Sequence, residues 1–277
     1  MKKKLICLAV VLLAVILAII YIHRENNNLI ITEFTVKSNK IPPEFDGFKI
    51  VHISDLHNKR FGDGQSRLLG MIEEQTPDII AVTGDLIDKR TTDIDIAMEF
   101  IDGAVKIAPV YYVTGNHESQ SGKYDELSEK LVAAGIIDMN DAFTDIEKGQ
   151  SAISVIGVFD MAFNGKISLD ETVKGHSEKI GNFKILLSHR PELMEMYKQN
   201  GIDLVLSGHA HGGQVRLPFV GALVAPNQGL FPKYSKGVYN EDGTCMIVSG
   251  GLGNSLLPLR MLNPPEIVII TLESGVE

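Results

Sequence analysis

Cysteine is almost missing from this chain: there are two in 277 residues, Cys7 inside an apolar run and Cys245 on its own. That leaves no disulfide framework and no thiolate zinc site. Gly and Pro together number 37 and charged residues make up 22%, which excludes fibrous repeats and disordered chains. Positive charge is scarce too, with 26 Lys and Arg against 35 Asp and Glu and a net charge of -9. The imbalance is uneven. Residues 1–28 hold Lys2, Lys3, Lys4 and Arg24 against Glu25, a net of +3, so residues 29–277 carry -12. A body this acidic repels phosphate backbones, and no nucleic-acid partner is expected. What the chain does have is 44% hydrophobic residues, enough for one large domain or two small ones.

The apolar residues are concentrated first at the N-terminus. Residues 5–22 carry no charge; as a helix rising about 1.5 Å per residue, they span roughly the core of a bilayer. Three lysines precede the run, and Arg24, offset by Glu25, follows it. The positive-inside rule then places the N-terminus in the cytoplasm and the body outside. A cleaved signal peptide is the plainer alternative. Against it, the run is long and ends Ile-Ile-Tyr-Ile-His-Arg, without a small-x-small site. The expectation is a single-pass anchor in the cell membrane. Residues 23–28 read as a short linker, and His23 as a marker of the membrane interface.

Beyond the linker, short β-rich runs alternate with amphipathic helical stretches, the pattern of an α/β domain. Strands are expected over 29–37, 48–53, 78–83, 110–113, 153–158, 183–187, 204–206, 244–248 and 267–272. Helices are expected over 64–75, 93–106, 124–134 and 191–200. There is no internal repeat, and one domain over 29–277 is the economical reading.

Five of the apolar runs end in clusters of His, Asp, Asn and Gly: Ser54-Asp55-Leu56-His57, Gly84-Asp85-Leu86-Ile87-Asp88, Gly115-Asn116-His117-Glu118, Ser188-His189 and Gly208-His209-Ala210-His211-Gly212. Ligand sites of open α/β sheets gather at the carboxyl ends of strands. A lone His or Gly-Asp at such a place is most often a surface residue or a turn. Here five of the eight histidines fall inside these clusters, and independent accidents do not accumulate that way. Carboxylate, imidazole and amide oxygen without thiolate suit divalent metals. The Asp-x-His and His-x-His spacings place paired ligands on one face of extended chain. The set is large enough for two metals, which together can clamp a phosphate for in-line attack.

The ordered series Asp-x-His, Gly-Asp-x-x-Asp, Gly-Asn-His-Glu, a lone His and Gly-His-x-His resembles the calcineurin-like metallophosphoesterase superfamily. It does so over about residues 48–272. The Gly208–Gln214 stretch and the late Gly251–Arg260 stretch, followed by Pro264-Pro265-Glu266-Ile267, resemble its bacterial membrane-targeted branch. The resemblance implies two packed mixed β-sheets, a β-sandwich core, flanked by helices. It implies that Asp55, His57 and His211 hold one metal, that Asn116, His189 and His209 hold the second, and that Asp85 bridges both. His117 matches the catalytic histidine that serves the leaving oxygen, and Asp88 the carboxylate that orients it. Protein Ser/Thr phosphatases continue Gly-Asp-x-x-Asp with Arg-Gly, whereas this chain has Lys89-Arg90, which argues against a protein phosphatase.

Arg260 is the first candidate for gripping phosphate and Arg190 the second. His52, inside a strand, reads as a packed, hydrogen-bonded residue, and His176 is assigned no role. The apolar segment 215–239, beside the histidine pair, reads as a buried hairpin; the alternative is a loop that meets an acyl chain or the membrane.

These readings make the chain a membrane-anchored phosphomonoesterase or phosphodiesterase. It would use two divalent metal ions, Mn first with Fe or Zn as alternatives, and a bridging hydroxide. Its expected partners are the membrane and an envelope or lipid-linked phosphoester, with the catalytic domain extracytoplasmic. A hydrolase of the pyrophosphate of UDP-2,3-diacylglucosamine is the alternative within the branch, but that substrate is made in the cytoplasm. A nuclease is disfavoured by charge. A non-catalytic module is disfavoured because every ligand position is filled.

Overall fold

The computed structural model describes residues 2–254 and 259–275. Residues 255–258, in the middle of the late Gly251–Arg260 motif, lie outside the described residues. The strands are β1 (Ile30–Ser38), β2 (Lys49–Ile53), β3 (Ile79–Thr83), β4 (Val110–Val113), β5 (Ile137–Asp138), β6 (Ala142–Lys148), β7 (Ser151–Gly157), β8 (Phe183–Leu187), β9 (Leu204–Ser207), β10 (Arg216–Leu217), β11 (Gly221–Ala222), β12 (Val224–Ala225), β13 (Gly229–Leu230), β14 (Gly237–Glu241), β15 (Thr244–Val248) and β16 (Glu266–Ser274). The α-helices are α1 (Lys2–Asn27), α2 (Ser66–Glu73), α3 (Ile94–Ile107), α4 (Asn116–Gln120), α5 (Tyr124–Ala133), α6 (Met161–Ser177) and α7 (Met194–Gln199).

Two six-stranded mixed sheets form the centre, in the orders β1-β16-β2-β3-β4-β5 and β14-β15-β9-β8-β7-β6. Their apolar runs are continuous because both faces of each sheet are covered. In β3, Ile79 and Ala81 face the opposing sheet, while Ile80 and Val82 face helices. The layer between the sheets joins Ile50, Ala81 and Val113 to Val155, Ile185 and Leu206. The outer face of the first sheet carries α3, which starts where the Asp93 side chain accepts from the N–H groups of Asp95 and Ile96. It buries Ala97, Phe100, Ile101 and Ala104 at helical spacing. Residues of α6 and α7, including Val173 and Tyr197, cover the outer face of the second sheet. The two-sheet fold with flanking helices is the one expected.

All nine expected strands and all four expected helices are present, with ends shifted by up to three residues. The sequence reading passes over α4, β5, β6, α6 and β14. Strand β6 lies at a sheet edge with mostly exposed or half-buried residues, so it carries little apolar signal. Helix α6 is interrupted by Gly165 at φ 82°. His52 is buried between the sheets, its Nε2 2.8 Å from Thr83 Oγ1.

Helix α1 is the one described helix long and apolar enough to cross a membrane, with mean hydropathy 3.4 and none of its apolar span buried against the body. Its lower end corrects the expected linker. The helix continues to Asn27, and its last turn is fastened to the body. The Tyr21 hydroxyl accepts from Leu262 N–H at 3.2 Å, Glu25 Oε2 from Asn263 N–H at 3.0 Å, and Asn26 Oδ1 from Asn254 Nδ2 at 2.7 Å. Arg67 also donates to Asn27 O at 2.9 Å. These partners satisfy polar groups that a linker would have left to water.

The segment after the histidine pair also departs from expectation. It forms two short hairpins, β10–β11 and β12–β13, but it is not buried. Ala222 and Ala225 turn inward, whereas Phe219, Val220, Val224, Leu230 and Phe231 are exposed. Hairpin strands of two residues are too short to lay an apolar face on the core.

Candidate metal centre

The five polar clusters follow β2, β3, β4, β8 and β9. Strands β2, β3 and β4 are parallel neighbours in one sheet, and β8 and β9 are parallel neighbours in the other. All five therefore deliver their loops to the same end of the sandwich. The backbone does not remain extended there, which corrects the strand-face argument for Asp-x-His and His-x-His. Asp55, His57, Asp85, His209 and His211 all have positive φ, between 45° and 63°. Left-handed non-glycine residues cost on the order of 1–3 kcal/mol each, and such strain concentrates at functional sites.

Two glycines make the close approach possible. A Cβ on Gly115 would lie 2.2 Å from Asp85 Oδ1, and one on Gly208 would lie 1.8 Å from Ser54 Oγ and 2.4 Å from Asp55 Oδ2.

The side chains form two adjoining groups around Asp85. In the first, His57 Nε2 lies 3.7 Å from Asp55 Oδ1 and His211 Nε2 lies 3.5 Å from the same oxygen. In the second, His189 Nε2 lies 3.1 Å from His209 Nδ1. Asp85 Oδ2 belongs to both groups, 3.5 Å from His57 Nε2 and 3.3 Å from His189 Nε2. Donor atoms of Asp55, His57, Asp85 and His211 lie within 4.8 Å of one another, as do those of Asp85, His189 and His209. All are buried. Asn116 opens α4 and lines the same pocket, and its Oδ1 is buried without a hydrogen-bond partner among the described residues.

This donor set fits divalent cations. Both ring nitrogens of His57, Nδ1 of His211 and Oδ1 of Asn116 are buried and unpaired, a costly state unless a ligand completes it. Charge repeats the point. Burial works against ionised Asp55, yet His211 and His57 hold its carboxyl well below the usual range. Burial also opposes protonation of His189, but Asp85 and the other acids pull it up to about 10. Burial lowers His211 to about 3. The closely spaced carboxylate and imidazole donors suit two divalent metal ions.

His117 follows Asn116 and lines the pocket. Its Nδ1 accepts the Lys89 N–H at 3.1 Å, and burial lowers its pKa to about 4. Asp88 does not orient it as expected: Asp88 Oδ2 is 3.9 Å from His117 Nδ1, outside hydrogen-bond range. The carboxylate is engaged by Arg90 instead, with the backbone N–H and Nε on Oδ1 and Nη2 on Oδ2.

Arg260 also departs from expectation. It is only 1% exposed, and its guanidinium donates to Gly250 O, Asn263 O, Gly253 O and Asn254 Oδ1 at 2.5–3.2 Å. It clamps the loop behind Asp55 and does not line the pocket. Arg190 does. Its Nε and Nη2 grip Asp160 at 2.6 and 2.8 Å, while Nη1 lies 2.8 Å from His209 Nε2.

Glu118, quoted in the sequence without a role, proves to be a positioning residue. Its buried carboxylate accepts from the N–H groups of Gly115, Asp85 and Leu86 at 2.7–2.8 Å, tying the β3 and β4 loops together. Burial beside Asp85 raises it to about 7. The pocket holds about 320 Å³ and is completed by Lys89, Arg90, Gln120, Pro226 and Asn227.

Comparison with known proteins agrees with this geometry. Residues 48–213 match the family model described as calcineurin-like phosphoesterase, so the chain belongs to that family. It is a metallophosphoesterase, a hydrolase of phosphoester bonds. It is 34% identical over 261 residues to the uncharacterized metallophosphoesterase YkuE of Bacillus subtilis (strain 168), covering 88% of this chain and 85% of that protein. It is 27% identical over 230 residues to phosphodiesterase YaeI of Escherichia coli (strain K12), covering 81% and 82%. Among solved structures, TT1561 of Thermus thermophilus shares the fold with TM-score 0.52 at 16% identity, over 74% of this chain and 90% of that one.

Proposed function

We propose that this chain is a membrane-anchored phosphohydrolase with a dinuclear metal centre, acting on envelope or lipid-linked phosphoesters. The observation that carries this reading is the shared Asp85 carboxylate, 3.5 Å from His57 on one side and 3.3 Å from His189 on the other. Asp55, His57 and His211 would hold the first cation, Asn116, His189 and His209 the second, and Asp85 would serve both. Two bound divalent cations supply Lewis acidity toward the phosphoryl oxygens and activate water for attack on phosphorus. Imidazole, carboxylate and amide ligands accommodate Mn, our first choice, as well as Fe or Zn.

The protein's own residues do the rest. Because His117 Nδ1 accepts the Lys89 N–H, the neutral ring carries its proton on Nε2, ready for the departing oxygen. Arg190, Lys89 and Arg90 line the pocket and offer positive charge to the phosphate. Asp88 acts one step back, by pairing with Arg90. Helix α1 would hold the body at the membrane, with the positive-inside rule placing the body outside the cytoplasm.

The test uses the full chain in detergent, stripped with a chelator and resupplied with Mn, Fe, Zn or Mg. Hydrolysis of p-nitrophenyl phosphate and of bis(p-nitrophenyl) phosphate is then compared. Turnover restored by metal in the parent and not in Asp85→Asn is the expected result. Failure to bind two metals per chain would overturn the centre. A topology reporter fused after Glu277 checks orientation.

A further inference from the structure

Of the large exposed apolar residues described outside α1, Val132, Phe143, Ile167 and Val238 stand apart, but the other six gather on the two hairpins and the loop beside them. Phe219 sits fully exposed at the turn of the first hairpin, next to Val220. Leu230 and Phe231, 74% and 65% exposed, close the second, and Leu262 is 49% exposed in the neighbouring loop. Three of the six hold left-handed backbone: Phe219 at φ 65°, Phe231 at 53° and Leu262 at 50°. For bulky apolar residues that conformation is unfavourable, and here no burial within the chain offsets it.

Hydrogen bonds connect these segments to the base of α1. The Leu262 N–H donates to the Tyr21 hydroxyl and the Asn263 N–H to Glu25. Met261 exchanges backbone hydrogen bonds with the first hairpin, donating to Gln214 O and accepting from Arg216 N–H. Phe231 N–H donates to Leu223 O, and Leu223 N–H donates to Val215 O, which joins the second hairpin to the first. The apolar tips are thus fastened to the loop that is hydrogen-bonded to the base of the apolar helix. Tyr21, an amphipathic ring at the end of the apolar run, has the character of a residue at the membrane–water boundary. The second hairpin also turns inward: Pro226 and Asn227, at its turn, form part of the pocket wall.

We propose that the two hairpins between Arg216 and Phe231, together with Leu262, form an interfacial foot. The foot seats Phe219, Val220, Leu230 and Phe231 in the headgroup–acyl boundary of the membrane that α1 spans, so that the pocket opens toward phosphoesters carried at the bilayer surface. This rests on the reading of α1 as an anchor. The occupant is a lipid bilayer because the loop bearing Leu262 is hydrogen-bonded to Tyr21 and Glu25 at the base of the unburied apolar helix, which sets the tips beside the element read as crossing the membrane. The pocket lining is polar, so the foot meets lipid while the pocket receives the phosphate.

The experiment places an environment-sensitive fluorophore at single cysteines in the full chain carrying Cys7→Ser and Cys245→Ser, reconstituted into phosphatidylethanolamine–phosphatidylglycerol vesicles. The labelled variants are Phe219→Cys, Phe231→Cys, Leu12→Cys within α1, and Ile167→Cys on exposed α6. Doxyl-labelled lipids serve as quenchers. Blue-shifted emission and loss of signal at 219, 231 and 12, with neither at 167, is the expected result. Quenching at 12 without quenching at 219 and 231 overturns the foot and leaves the anchor intact. No quenching at 12 overturns the anchor and the foot with it. Because Phe219 and Phe231 are exposed, a folding failure on labelling is itself contrary to the proposal and is read by circular dichroism.

Discussion

The two halves of the proposed centre are built differently. The second is wired in advance: His189 Nδ1 donates to Thr83 O at 2.7 Å, its Nε2 faces His209, and Arg190 braces His209 from behind. In the first, both nitrogens of His57 and Nδ1 of His211 have no hydrogen-bond partner among the described residues, and the rings are held by carboxylates and packing. Each half also has a buried arginine behind it. Arg260 spends its donors on the backbone of the loop behind Asp55, whereas Arg190 keeps a place in the pocket wall. Burial of an arginine beside a site therefore says little about its role; whether it reaches the pocket wall decides it.

The sharpest way to break the comparison is to remove what the halves share. Asp85→Asn should lower turnover by more than the roughly 100-fold typical of residues behind a metal ligand, with metal content below two per chain by elemental analysis. His117→Asn should cost about 10²–10⁴-fold in turnover while metal content stays at the parental value. That loss should be greater for alkyl than for p-nitrophenyl esters, because a poorer leaving group needs the proton more.

The arginines separate next. Arg190→Ala should lower kcat/KM about 10–100-fold. Arg260→Ala should cost about 3 kcal/mol of stability by denaturant titration, because it strands buried carbonyls, and should leave KM near the parental value. A raised KM in Arg260→Ala would restore it as a phosphate ligand. Gly208→Ala should destabilise by about 1–3 kcal/mol and deplete the first half of metal, since the new methyl meets Asp55 and Ser54.

The smallest effect probes the wiring behind Thr83. Burial lowers His52 to about 3, from an unfolded value near 6.5. Between those values the unfolded chain binds the extra proton, so stability should fall as pH falls, by at most about 1.4 kcal/mol per pH unit. The difference between chelator-treated parent and His52→Gln, followed by thermal melts from pH 7 to pH 5, isolates that contribution.

The fold and the metal-type residues were legible because they rest on local signals. Apolar runs marked the strands buried on both faces, and the polar cluster at the end of each run announced a loop at the sheet edge. What the sequence did not show depends on tertiary contacts. Asp88 has a free-standing look in Gly-Asp-x-x-Asp, but Arg90 two residues later captures it. Glu118 could be read only as one more acid, because its four backbone donors come from two loops. The left-handed backbone of the proposed ligands was likewise hidden, since five non-glycine residues adopt it. The apolar segment after His211 gave the same pattern for a buried hairpin as for an exposed one.

The junction below Tyr21 has a kinetic consequence. Because α1 runs without a break into contacts with Asn254 and Asn263, the body has no slack tether. An enzyme on a long flexible leash searches a volume, and its encounter rate follows bulk concentration. In the proposed arrangement, a body held this closely searches an area. Its rate on a bilayer-borne phosphoester should then follow the number of substrate molecules per unit of surface, and diluting the lipid with inert lipid should slow it more than diluting the vesicles.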